Sequence, residues 1–203
     1  MNVKDYLNNK KYFEFYIINI NNKNSFYDEI VNIFTGIFLN PFIISDREHT
    51  IILTNETNCD INQAINAMIE DFGIKMKVFK SNRIDAVNYE YLDILKKLYY
   101  KYENQINENF ISIKQLCLHI LEKNIDDITL LKPIIVGKIL NDPKLSEIIN
   151  GMFLNDLNVC KTANYVYMHR NTINNKLNVI KEETGLDVQK FQEAVILYAL
   201  IKK

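Results

Sequence analysis

The chain has 203 residues, 48% apolar and 24% charged, with a formal net charge of -1, a balance that excludes wholesale disorder and a uniformly basic, polyanion-binding surface. With only 5 Gly and 3 Pro it lacks the turns of an all-β sandwich, so helix should dominate. Its three cysteines, Cys59, Cys117 and Cys160, have neither C-x-x-C spacing nor clustered histidines, which argues against a disulfide framework and a zinc site and for reduced thiols in the cytoplasm.

In chain order, Met1 to Tyr6 shows no basic start followed by an apolar core, so no secretory signal is expected. Phe13 to Ile20 is dense in aromatic and β-branched residues and reads as a buried strand, ending in a turn over residues 21–24. Ser25 can cap a helix that carries Phe26, Ile30, Ile33, Phe34, Ile37 and Phe38 to Leu39, where Pro41 stops it. Phe42 to Ser45 and Thr50 to Thr54 form a hairpin around Asp46, Arg47, Glu48 and His49. A helix led by Asp60 and closed by Gly73 follows, then Ile74 to Phe79 as a half-exposed edge strand. The order β-α-β-β-α-β predicts a ferredoxin-like lobe, two helices covering one face of a four-stranded sheet.

From Tyr89 to about Leu140 no strand signal is visible. Leu92, Leu95, Tyr99, Tyr102 and Ile106 form one amphipathic stripe. A second helix is expected from Asn109, with Phe110, Ile113, Cys117, Ile120 and Leu121 inward, and a third from Thr129 to Leu140 with Pro133 in its first turn. These stripes serve the core or a dimer seam. Asn141-Asp142-Pro143 marks a boundary. The expected organisation is an α/β lobe over 1–85, a helical connector over 86–142 and an all-α domain over 143–203, in the α+β class.

The last segment holds four helical patterns: Leu145, Ile148, Ile149, Met152 and Phe153; Val159, Thr162, Ala163 and Val166; Ile173, Leu177 and Ile180; and Phe191, Val195, Tyr198 and Ile201. The turn between the second and third is too brief for a long antiparallel hairpin, so the two cross steeply as a helix-turn-helix, with Ala163 permitting close approach. If Ile173, Leu177 and Ile180 face inward, Asn171, Asn175 and Asn178 point directly away. Arg170 and Asn174 then flank one edge, Thr172 and Lys176 the other. Such a face suits the DNA major groove, where Asn pairs bidentately with adenine and Arg with guanine. Thr172 and Lys176 suit phosphate, as do the free N–H groups near His169 and Arg170, and Thr162 is a further candidate for backbone contact. The chain carries 28 asparagines, a number that AT-rich coding explains, so a lone surface Asn has little functional weight.

At these residues a resemblance becomes specific. Asn158-Val159-Cys160-Lys161-Thr162-Ala163, Tyr167-Met168-His169-Arg170-Asn171-Thr172-Ile173, Lys176-Leu177, Ile180, Thr184-Gly185-Leu186-Asp187 and Phe191 resemble, in order and spacing, the C-terminal domain of PucR/CdaR-type bacterial transcription regulators, itself similar to the DNA-binding part of Fis-type proteins. The family is commonly basic and aromatic where this chain has Asn174 and Asn175, and acidic where it has Lys161, so the capping box headed by Asn158 is incomplete. The resemblance implies an N-terminal lobe related to the GGDEF cyclase palm, double-stranded DNA as partner, and a small-molecule effector such as a sugar diacid or purine breakdown product. A homodimer on two half-sites about 34 Å apart is expected, its seam between Tyr89 and Lys123 or at the sheet edge.

No G-G-D-E-F, P-loop or G-x-G-x-x-G occurs, and no Ser, Cys or carboxylate is tied to His169 by motif, so no enzymatic activity, metal or cofactor is expected. Over residues 144–203 Lys and Arg barely outnumber Asp and Glu, and non-specific DNA affinity should be modest. The alternative reading is an interaction or architectural protein whose helix-turn-helix has drifted from sequence-specific binding.

Overall fold

A computed structural model describes residues 2–21, 27–46, 49–54, 60–123 and 125–202. Ser25, Phe26, Arg47, Glu48, Cys59 and the turn at 22–24 lie outside them. The chain divides into two compact units, Met1–Ile113 and Lys114–Lys203, and the fold is α+β.

The first unit opens with a short helix, α1 (Val3–Leu7), held by a reciprocal cap between Asn2 and Asp5 that the periodicity did not announce. Then come β1 (Tyr12–Asn21), α2 (Tyr27–Thr35), β2 (Phe42–Asp46), β3 (His49–Thr54), α3 (Ile61–Phe72) and β4 (Lys75–Lys80). The predicted β-α-β-β-α-β order is present. The sheet runs β2-β3-β1-β4, all antiparallel, which is the split βαβ arrangement. Asp60 caps α3 by accepting from the Asn62 and Gln63 amides, and Gly73 closes it at φ 60°. The first predicted helix stops short, at Thr35, and Phe38 reaches the core from the turn beyond it.

Three features differ from expectation. β4 is not an edge: beyond it lies β6 (Phe110–Ser112), paired in parallel through Val78–Phe110, Phe79–Ile111 and Lys80–Ser112. The helix expected from Asn109 therefore begins only at Ile113, because Asn109 and the three residues after it are drawn onto the sheet, with the Asn109 carbonyl accepting from the Val78 amide at 2.7 Å. A two-residue strand, β5 (Ile84–Asp85), pairs with the start of β1.

The central strands β1 and β3 are also buried on both faces. Tyr16, Ile18, Ile20, Ile52, Met76 and Val78 pack against Ile30 and Phe34 of α2 and Ile61, Ile65 and Met68 of α3. The opposite face carries Phe15 and Phe79, and Phe79 stacks on Tyr99 of α4 (Tyr91–Tyr102) at 5.0 Å between ring centroids. The stripe Leu92, Leu95, Tyr99, Tyr102 and Ile106 thus serves the core of this unit, every member buried. On the same face His49 Nε2 donates to the Glu103 carboxylate at 2.8 Å, with both side chains under one-tenth exposed, while the Asn19 amide also donates to Glu103 and the Tyr100 ring stacks on His49.

The second unit is helical: α5 (Ile113–Lys123), a 3-10 segment (Ile125–Leu131), α6 (Lys132–Ile135), α7 (Gly137–Asn141), α8 (Pro143–Leu154), α9 (Val159–Tyr165), α10 (Arg170–Thr184) and α11 (Phe191–Lys202). The single helix expected from Thr129 to Leu140 is instead three pieces, broken at Val136. Pro133 sits in the first turn of α6, where its missing N–H has no partner to lose.

Candidate nucleic-acid interface

The platform begins at α8. Asp142 caps it, accepting from the Lys144 and Leu145 amides at 2.9 and 3.2 Å, with Pro143 at the first helical position. Its inward face is Leu145, Ile148, Ile149 and Met152, all buried. Gly151 lies on that face under α9. A Cβ there would stand 3.1 Å from Cγ2 of Thr162 and 3.3 Å from Cγ1 of Val166, so a side chain at 151 would push these groups back by a few tenths of an ångström. Ala163 is buried as well, consistent with its expected role at the crossing.

Asn158 caps α9 by accepting from the Lys161 amide at 3.0 Å, alone, as the missing acidic partner implies. At its other end the helix closes as a Schellman motif: the Met168 amide donates to Ala163 O at 2.9 Å and the Tyr167 amide to Asn164 O at 3.4 Å. The residue that must adopt the left-handed conformation is Tyr167, at φ 54°. This position favours glycine, and a side chain there costs about 1–2 kcal/mol. The turn spans Val166 to His169, and α10 then starts at Arg170.

Ile173, Leu177 and Ile180 are 0%, 4% and 0% exposed, which fixes the rotation of α10. Arg170, Asn171, Thr172, Asn174, Asn175 and Asn178 are exposed and Lys176 is half-buried. Among the described residues the side-chain amides of Asn171, Asn174, Asn175 and Asn178 make no hydrogen bond, and neither Arg170 nor Lys176 is paired with a carboxylate. Farther along the helix Lys181 is paired with Asp187 at 3.2 Å, and Glu183 with Lys138 at 2.6 Å. Donor groups without partners are thus concentrated in the first half of α10.

Two expected contributors are placed differently. Thr162 is fully buried, its hydroxyl donating to Gly151 O at 3.3 Å and its methyl against Gly151, so it has no surface with which to meet a phosphate. His169 is the N-cap of α10, and its Nδ1 accepts from the Asn171 amide at 3.2 Å. That amide, expected to be free for an anion, is already satisfied.

The far end of α10 is built to hold still. Gly185 takes φ 73° and donates to Lys181 O, and Thr184 bonds both Ile180 O and the Leu186 amide. Asp187 accepts from the Gln189 amide and receives the Lys181 ammonium. Burial works to raise its pKa, but the Gln189 amide and the Lys181 and Lys190 ammoniums prevail and hold it below the usual carboxylate value. Glu193, itself buried, accepts from the Asp187 amide at 2.6 Å.

This anchor sets the rotation of α11, and the expected stripe is not the inward one. Phe191 is 77%, Val195 41% and Tyr198 50% exposed, while Ala194, Ile196, Leu197 and Leu200 are buried. The sequence of α11 is apolar nearly all round, so periodicity has no single face to pick.

Sequence reasoning passed over Gly151 and gave Tyr167 no role beyond its place in the motif run. Neither has a spacing signal, because the left-handed turn and the helix crossing emerge only once α9 has ended.

The comparisons with known proteins bear on this unit. Residues 145–202 match the PucR C-terminal helix-turn-helix domain. Among solved structures the chain is similar to a regulator of polyketide synthase expression from Bifidobacterium adolescentis, at 12% identity and a TM-score of 0.42, over 95% of this chain and 79% of that one. No curated protein matches. No helix among the described residues is long and apolar enough to cross a membrane.

Proposed function

We propose, from the match of residues 145–202 to the PucR C-terminal helix-turn-helix domain, that the protein is a cytoplasmic, sequence-specific DNA-binding transcription regulator, acting as a homodimer and catalysing no reaction. The observation that carries this reading is the exposed face of α10, where four asparagine amides and two cations, without side-chain partners among the described residues, are presented by a helix whose other face is locked in the core.

In this reading α10 lies in the major groove. Arg170, Asn171, Asn174 and Asn175 face base edges, and Thr172 and Lys176 face phosphates. His169 contributes by fixing the start of the helix, and Thr162 takes no part. A face richer in Asn than in Arg favours A·T pairs. The weak positive charge limits affinity for arbitrary duplexes, so discrimination has to come from these side chains. Selection from a random duplex library tests the reading: a recovered motif that the protein binds in excess competitor DNA supports it. Enrichment of no motif would favour the drifted, architectural alternative.

A further inference from the structure

Tyr167 occupies the one position of the helix-turn-helix turn that geometry assigns to glycine, and its ring is 95% exposed. Among the described residues the other non-glycine positions with positive φ are Asn40, which tolerates that conformation through its short polar side chain, and Asp156 and Leu157, which form the link between α8 and α9. For Tyr167 the compensation comes from the backbone, through the two Schellman hydrogen bonds, and among the described residues none comes from its side chain. Among the described residues its hydroxyl has no hydrogen-bond partner and its ring meets no other ring or cation. A bulky aromatic therefore sits in a conformation it disfavours, in contact chiefly with solvent, two residues before the cap of α10.

We propose that Tyr167 is a DNA-contacting residue: its phenolic O–H donates to a phosphate oxygen on the strand that borders the groove entered by α10, with the ring lying along the sugar. This rests on the DNA-binding reading of α10 and adds to it a contact outside the recognition helix. The assignment to phosphate rather than to a base follows from position. The base-facing residues begin at Arg170, at the N-terminal end of the helix, and the segment that leads into such a helix meets the backbone. Tyrosine is among the side chains that donate to phosphate oxygens. The phenol carries no charge to displace counterions, so its contribution is to affinity without salt dependence.

The full-length protein and a selected operator duplex provide the test, read by fluorescence anisotropy across a salt series and by thermal melting. Tyr167→Gly should hold or raise the melting temperature, because glycine adopts this backbone freely, yet weaken binding about tenfold. Tyr167→Phe should weaken it by a similar or smaller factor. In both, the slope of log affinity against log salt should stay that of the wild type. Undiminished affinity in Tyr167→Gly, or wild-type affinity in Tyr167→Phe, overturns the hydrogen bond. A lowered melting temperature in Tyr167→Gly overturns it too, since the ring would then serve the fold. If Arg170→Ala loses binding while Tyr167→Gly does not, only the tyrosine assignment fails. If the wild type binds no duplex, the reading beneath it fails as well.

Discussion

The Thr162 hydroxyl donates to the Gly151 carbonyl across 3.3 Å, joining the first helix of the helix-turn-helix to α8. Gly151→Val forces branched carbons against Thr162 and Val166, themselves 0% and 6% exposed and unable to retreat. It should lower stability by about 1–3 kcal/mol in urea unfolding. Thr162→Val removes only the hydroxyl, and the Gly151 carbonyl keeps its bonds from the Asn155 main-chain and side-chain amides. That substitution should cost about 1 kcal/mol or less.

On the recognition face, Asn171→Ala or Asn174→Ala should cost on the order of 1–3 kcal/mol at one base position and relax preference there. Lys176→Ala should weaken all sequences alike and reduce the salt slope by about one. Affinities for a panel of single-base operator variants separate the two behaviours. Folded Arg170→Ala and Asn171→Ala proteins that bind the operator as tightly as the wild type would remove this surface from consideration.

Asp187 gives a pH dependence of definite sign. Its folded pKa is depressed, so its contribution is present above the unfolded carboxylate value of about 3.9 and disappears as pH falls through the folded value. Asp187→Asn should therefore melt below the wild type at neutral pH, and the gap should close in acid. Because Lys181 is 54% exposed, the neutral-pH difference should be about 1 kcal/mol or less.

In the first unit, Glu103 is the shared acceptor for His49 and the Asn19 amide in a nearly water-free setting. Glu103→Ala should cost about 1–3 kcal/mol for each donor it orphans. A cycle with His49→Phe should show strong coupling between the two positions, and additive effects would mean that the pair contributes nothing jointly.

The thiols should differ sharply. Burial pushes the Cys117 thiol well above its ordinary pKa, whereas Cys160 is exposed on α9. Alkylation of the native protein followed by peptide mass spectrometry should find Cys160 modified and Cys117 intact until the protein is unfolded.

Why some of this was readable in the sequence and some was not comes down to how many faces a segment offers. α10 has three inward apolar residues in its first three turns, Ile173, Leu177 and Ile180, so its outward face follows by subtraction. In α11 nearly every residue is apolar, and the choice of face was made by Glu193 binding the Asp187 amide, a tertiary contact without periodicity. The first five secondary-structure elements after α1 were legible because caps such as Asp60 and Gly73 and runs such as Phe13 to Ile20 are local signals. β6 was not: Phe110 to Ser112 fits a helix start as well as a strand, and only the open edge of β4 decides between them. Thr162 matched a motif position, but motif membership does not tell a core hydroxyl from a surface one.

The pairing of β4 with β6 also orders events on the ribosome. β4 ends at Lys80, yet its outer neighbour is made of residues 110–112, so during synthesis the nascent sheet must wait with an unpaired edge, alternately basic and apolar, while α4 is still being made. Open edges of this kind recruit other strands. A pause in translation between these two points, or a fragment ending there, leaves that edge open, with its three lysines as the protection against pairing with another chain.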